Sequence, residues 1–134
     1  LNDFNIMLPE EVVVSNSFDG PPIKKRISEI ENNEIILDQV ISEDIKQFID
    51  SSNTIIWNGP LGVFENKNFS EGTEELSKLI SMSDAYTLAG GGETLSAINK
   101  FINKDDISYC STAGGAFLEF IEGKELPSIS ALSD

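Results

Sequence analysis

Three times along the chain a short apolar run ends in a loop of glycine, amide or small residues and passes into a segment patterned as a helix. The runs are Thr54 to Trp57, Ala85 to Ala89 and Ile107 to Ser111. The helical segments are marked by Leu76, Leu79 and Ile80, by Leu95, Ile98 and Ile102 within Thr94 to Ile102, and by Ala116 to Glu122. Strands joined through helices rather than tight hairpins pair in parallel. Strands apolar on both faces imply cover on both sides. The expected fold class is therefore α/β, a parallel sheet with helices on both faces, Rossmann-like and three-layered. In such a sheet every loop that follows a strand lies at the carboxyl edge, where ligands bind. The loops at Asn58, Gly90 and Thr112 should thus meet in one place.

Upstream, Glu11 to Val14 reads as a β-branched strand, stopped by the turn Asp19-Gly20-Pro21-Pro22. Lys24-Lys25-Arg26 is the only basic cluster. Ser42 suits a helix N-cap, with Glu43 and Asp44 at the positive end and Ile41, Ile45, Phe48 and Ile49 on one apolar face. Gly123 falls just past the last helix, where a C-cap glycine belongs.

Composition narrows the chemistry. The 134 residues, 40% hydrophobic and 24% charged, match a soluble globular domain. No apolar run approaches the roughly 18 residues of a membrane span, and Leu1 to Leu8 lacks the pattern of a signal peptide. The start at Leu1 rather than Met suggests a fragment or a processed product. The single cysteine, Cys110, excludes an internal disulfide and reads as core in a reducing compartment. With no histidine, imidazole base catalysis and most zinc sites are excluded. A net charge of −14 argues against nucleic acid and anionic membranes as partners.

Against that acidity, the loops look built for an anion. Gly90-Gly91-Gly92-Glu93-Thr94 lies between strand and helix, so backbone N–H groups can face a ligand at the positive helix end. The alternative is a tight turn needing positive φ. The segment is not a dinucleotide fingerprint, because Leu95 replaces the third glycine, and no Gly-Lys-Ser/Thr follows to make a Walker A loop. Thr94 offers a hydroxyl to phosphate or metal. Glu93 beside an anion cradle implies an intervening cation, and magnesium commonly bridges carboxylate and phosphate through water; otherwise Glu93 caps the helix. Ser111-Thr112-Ala113-Gly114-Gly115-Ala116 repeats the design, either for close helix packing or to meet charge developing in phosphoryl transfer. In Trp57-Asn58-Gly59-Pro60-Leu61-Gly62-Val63-Phe64-Glu65, Pro60 stiffens the loop, Asn58 can donate and accept, and Glu65 can accept two hydroxyls, as from a ribose. The other reading is a structural loop with Trp57, Val63 and Phe64 as core.

These three segments in this order resemble the nucleotide-binding half of the phosphoglycerate kinase family. Glu119-Phe120-Ile121-Glu122-Gly123-Lys124-Glu125-Leu126-Pro127 resembles its carboxy-terminal signature, and Leu8-Pro9 with Val12-Val13-Val14 an earlier strand. The likeness covers nearly the whole chain and is weakest from Ser15 to Asp50. It implies reversible phosphoryl transfer between 1,3-bisphosphoglycerate and ADP, giving 3-phosphoglycerate and MgATP, by a cytoplasmic enzyme that is monomeric when whole. Residues 1–123 would be the carboxy-terminal portion of the nucleotide domain and 124–134 its tail, with the substrate domain absent.

By the same resemblance, Asn58, Gly59 and Pro60 line the nucleotide site and Glu65 binds the ribose hydroxyls. Gly91, Gly92 and Thr94 hold the phosphates, and Glu93 takes the magnesium-binding position, commonly Asp. Gly92, Gly114 and Gly115 serve the transferring phosphoryl. Three departures stand out: Glu93 for Asp, Ala113 for glycine, and Ile36-Leu37-Asp38-Gln39-Val40 without the family's Asp-Ile-Gly run near the adenine pocket. No lysine or arginine falls within the three motif segments. The family draws its phosphate-binding lysines and substrate arginines from upstream sequence. The family's sheet order would leave the Val12 to Val14 strand without its native neighbour and the Ile55 to Trp57 strand with one edge unpaired. A non-catalytic nucleotide-binding or interaction module using the same loops is the competing reading; the missing third glycine argues against a dinucleotide enzyme.

Overall fold

The computed structural model of the protein describes residues 6–111. They form two three-stranded sheets joined by helices. The first sheet holds β1 (Glu11–Ser15), β2 (Ile23–Arg26) and β3 (Ile35–Gln39) in the order β2-β1-β3, with both pairings antiparallel. The second holds β4 (Thr54–Trp57), β5 (Tyr86–Gly90) and β6 (Tyr109–Ser111) in sequence order, all parallel.

The second sheet is the α/β unit anticipated from the recurrent strand, loop and helix. Helix α1 (Glu43–Ser51) precedes β4, α2 (Glu71–Ser81) joins β4 to β5, and α3 (Gly92–Phe101) joins β5 to β6. Ser42 caps α1 as expected, its hydroxyl accepting from the Ile45 amide at 3.3 Å. Alternate strand residues Ile55, Trp57, Ala89 and Cys110 pack with Phe64, Ile80, Ala97 and Ile98 in one core. The opposite face carries Ile56, Leu88 and Tyr109, aligned across the three strands by their register. Ile56 is 47% exposed and Tyr109 52%. The last helix expected, Ala116 to Glu122, lies outside the described residues. β4 has one unpaired edge among them, as anticipated.

The first sheet corrects the reading of Val12 to Val14. That strand does not wait for a parallel neighbour: it is the central strand of the antiparallel sheet, paired on both sides. Val12, Val13 and Val14 are all at most 4% exposed, because both faces of β1 are covered. A central antiparallel strand covered on both faces has the same continuous apolar pattern as a parallel one, so hydropathy could not separate them. The basic run Lys24-Lys25-Arg26 forms the edge strand β2, where charge discourages pairing with another chain. Lys25 pairs with Glu34 at 2.8 Å, which lowers the Glu34 carboxyl pKa and raises that of the lysine.

The two sheets meet around β3 and α2. Asp38, 1% exposed, accepts hydrogen bonds from the Gln39 amide at 2.8 Å and the Gly72 amide at 2.9 Å. Its carboxylate thereby satisfies an amide in the first turn of α2, one that has no partner within the helix. Val63 N–H donates to the Leu37 carbonyl at 3.0 Å, tying the loop after β4 to β3. Val13, Leu37 and Phe69 form the buried cluster between them.

Candidate functional site

The chain must turn sharply as it leaves β5 to enter α3, and Gly91 makes that turn with φ of 95°. A side chain would be strained there whatever the space available. Gly91 is also the N-cap of α3, and it offers no side chain to the first-turn amides. Its own amide donates to the Ser111 carbonyl at 3.0 Å, which ties the loop to the end of β6. The N–H groups that open α3 thus begin at a bend with no capping side chain, the arrangement that favours a bound anion.

The loop after β4 is drawn to the same spot. The Gly59 amide donates to Thr94 Oγ1 at 2.7 Å, and the Trp57 indole N–H donates back to the Gly59 carbonyl at 2.9 Å. Thr94 is 1% exposed, so its hydroxyl oxygen serves first to join the two loops. Together these segments enclose a cleft of about 250 Å³ lined by Asn58, Gly59, Gly90, Gly91, Gly92, Glu93 and Thr94. It lies at the carboxyl ends of β4 and β5, where parallel-sheet ligands bind. Two of the three loops expected to converge do so, and the Gly91–Ser111 bond brings the end of β6 beside them. Gly114 and Gly115 lie outside the described residues.

Pro60 and Glu65 do not line this cleft. Glu65 stands exposed at the far end of the same loop, next to the buried Phe64. Glu93 is the one carboxylate lining the cleft, and it is exposed. Among the described residues no group of three or more Asp, Glu, His or Cys is placed to hold an ion. One carboxylate beside uncapped amides suits magnesium, which keeps several waters and shares its shell with phosphate oxygens.

Two supports escaped the sequence reading. Asp38 lies in a segment noted only for departing from a motif, and its bond to Gly72 spans 34 residues. Lys100 donates to the Phe64 carbonyl at 3.0 Å, a contact made from the last turn of α3. The polar positions in both segments were visible, but nothing local says which distant backbone they reach.

A glycine-bounded cleft at the carboxyl edge of a parallel sheet, floored by a helix start, defines an α/β protein with its cleft where ligands of such sheets bind. Residues 2–124 match the phosphoglycerate kinase family, and the chain belongs to it. It is 49% identical to phosphoglycerate kinase of Francisella tularensis subsp. novicida over 134 residues, 97% of this chain and 34% of that protein. The Blochmanniella floridana phosphoglycerate kinase is 49% identical across all of the chain and 34% of its own length. The structure of phosphoglycerate kinase from Coxiella burnetii superposes with a TM-score of 0.83 at 43% identity, covering 95% of this chain and 34% of that one. The Pyrococcus horikoshii structure gives 0.74 at 32% identity, covering 93% of this chain and 32% of that one. The chain therefore spans about a third of the relatives it matches. Among the described residues no helix is long and apolar enough to cross a membrane.

Proposed function

We propose that the chain supplies the nucleotide-phosphate side of a phosphoglycerate kinase site, transferring phosphoryl reversibly between 1,3-bisphosphoglycerate and ADP. The supporting observation is the cleft itself, in which the uncapped start of α3 and the Asn58–Gly59 segment are fixed to each other by the Gly59–Thr94 bond. In the direction of ATP synthesis, a terminal oxygen of the ADP β-phosphate attacks the acyl phosphate. The bond from phosphorus to the carboxyl oxygen breaks, and 3-phosphoglycerate leaves as a carboxylate.

Such transfer depends on positioning and on meeting the charge that develops. The bend at Gly91 and Gly92, through the free amides that open α3, and the Thr94 hydroxyl hold the nucleotide phosphates, while Asn58 and Gly59 border them and Pro60 stiffens the loop behind. Gly92 serves the transferring group, a role the family resemblance also gives to Gly114 and Gly115. Glu65 accepts the ribose hydroxyls. Glu93 is the residue that would hold magnesium, directly or through water, and the ion would supply charge neutralisation between nucleotide oxygens. Among the described residues no Lys or Arg lines the cleft, and the positive partners come from elsewhere. We place the activity in the cytoplasm, with no nucleic-acid or membrane partner and a monomeric whole enzyme.

The test uses a chimera in which this chain replaces the corresponding third of the Coxiella burnetii phosphoglycerate kinase. In it, Glu93→Gln weakens MgADP binding by about 1.5–3 kcal/mol, the worth of a charge-assisted contact, and leaves metal-free ADP nearly unchanged. Isothermal titration measures both. Equal losses with and without metal would make Glu93 a helix cap and remove it from the site.

A further inference from the structure

The loop after β4 is pegged to α3 at two points. At the amino end of the helix, Thr94 Oγ1 accepts from the Gly59 amide at 2.7 Å. At the carboxyl end, Lys100 Nζ donates to the Phe64 carbonyl at 3.0 Å. The same ammonium lies 5.8 Å from the Phe64 ring centre and 5.5 Å from that of Phe101. The two rings meet edge to face at 6.1 Å. Thr94 and Lys100 are six residues apart on one helix, about 9 Å along its axis. The first peg is at the phosphate cleft. The second holds the peptide group that joins Phe64 to Glu65.

We infer that Lys100 is a positioning residue for nucleotide recognition: through the Phe64 carbonyl it fixes the Glu65 backbone at a set distance from the cleft. This rests on the reading of Glu65 as the ribose acceptor. Phe64 is buried and cannot shift without disturbing the core. On the other side of Glu65, Asn66 donates from its side-chain amide to the Phe18 carbonyl at 2.9 Å, and its backbone amide donates to the Val63 carbonyl at 3.0 Å. Glu65 is therefore an exposed carboxylate between two anchored neighbours. Preorganised this way, it gives up little freedom when it accepts two hydroxyls at once. Lys100 does this from a distance, touching backbone and aromatic faces rather than ligand. The helix that opens the phosphate cleft thereby also sets the reach to the sugar.

The chimera described above gives the test, through the ratio of the Kd for 2′,3′-dideoxy-ADP to that for ADP, with inorganic pyrophosphate as a probe of the cleft alone. Lys100→Met keeps the aliphatic stem and removes the donor. It should lower the ratio by about tenfold, the worth of one charge-assisted bond. Pyrophosphate binding should stay unchanged, and Lys100→Arg should restore most of the ratio. Should Lys100→Met not fold, Lys100→Leu, which likewise lacks a donor, is read by the same criteria. If Glu65→Ala collapses the ratio and the Lys100 variant does not, the positioning role is wrong and the ribose reading stands. If Glu65→Ala leaves the ratio intact, the ribose reading falls and the positioning role with it. A Lys100 variant that weakens pyrophosphate as much as ADP would show general support of the fold, which also overturns the inference.

Discussion

Gly72→Ala should destabilise the fold by about 3 kcal/mol, the upper part of the range for an overfilled core. Gly72 is buried in the first turn of α2, and a methyl group there would run into the Gln39 carbonyl oxygen and the Asp38 carboxylate. Neither obstacle is the free end of a flexible chain. The carbonyl belongs to a sheet strand, and the carboxylate is held by two amides. Relief requires α2 to move off β3, which breaks the Gly72–Asp38 bond and strands a buried carboxylate. The urea midpoint of the 134-residue chain at low ionic strength measures the effect, and an unchanged midpoint would show that the helix start yields freely.

The same contact carries a pH dependence. Burial raises the Asp38 pKa above its ordinary 3.8, against the two amides, which lower it. A raised folded pKa means that folding favours the protonated form. The stability linked to Asp38 is therefore full below its unfolded pKa and is lost as pH rises through the folded value. The midpoint should fall as pH climbs above about 4, and Asp38→Asn should flatten that part of the profile while lowering the midpoint throughout.

The second large effect concerns association. The 134-residue chain by itself should be monomeric at low ionic strength and should form larger species once salt is raised. β4 presents an unpaired edge among the described residues, and Ile56 and Tyr109 stand about half exposed on one face of the parallel sheet. Edges and apolar faces of this kind invite pairing with other chains. The net charge of −14 opposes that pairing. Charge repulsion is screened over about 10 Å at 0.1 M salt, whereas apolar attraction is not weakened. Sedimentation at about 0.02 M and 0.3 M salt separates the two regimes, which straddle that Debye length. A monomer at both, with a sharp unfolding transition, would show that the exposed edge and face are inert. The isolated chain should also show no phosphoryl transfer, since the described cleft has no lysine or arginine to neutralise polyphosphate.

The parallel half of the fold was legible because each of its elements carries its own local signal. Thr54 to Trp57 and Ala85 to Ala89 are short apolar runs. Gly90 to Gly92 announces a turn that needs positive φ, and Leu95 and Ile98 repeat at helical spacing. From these alone follow strand, loop, helix, the parallel pairing and the meeting of Asn58 with Gly91. The motifs were specific enough to carry the family as well.

The antiparallel half was not legible in that way. Val12 to Val14 is apolar throughout, and a strand buried on both faces has that pattern in either kind of sheet. Its partners Lys24 to Arg26 and Ile35 to Gln39 are joined to it by polar turns that announce no register. In the folded chain Leu37 and Phe69 are buried together with Val13, a packing that no local pattern announces. The contacts that hold the site in shape are of the same kind: Asp38 to Gly72, Thr94 to Gly59 and Lys100 to Phe64 each join residues more than 30 apart. A short-range pattern fixes which way a residue's own backbone runs. Which distant amide or carbonyl completes a buried polar group depends on how the finished elements pack, and only the tertiary structure sets that.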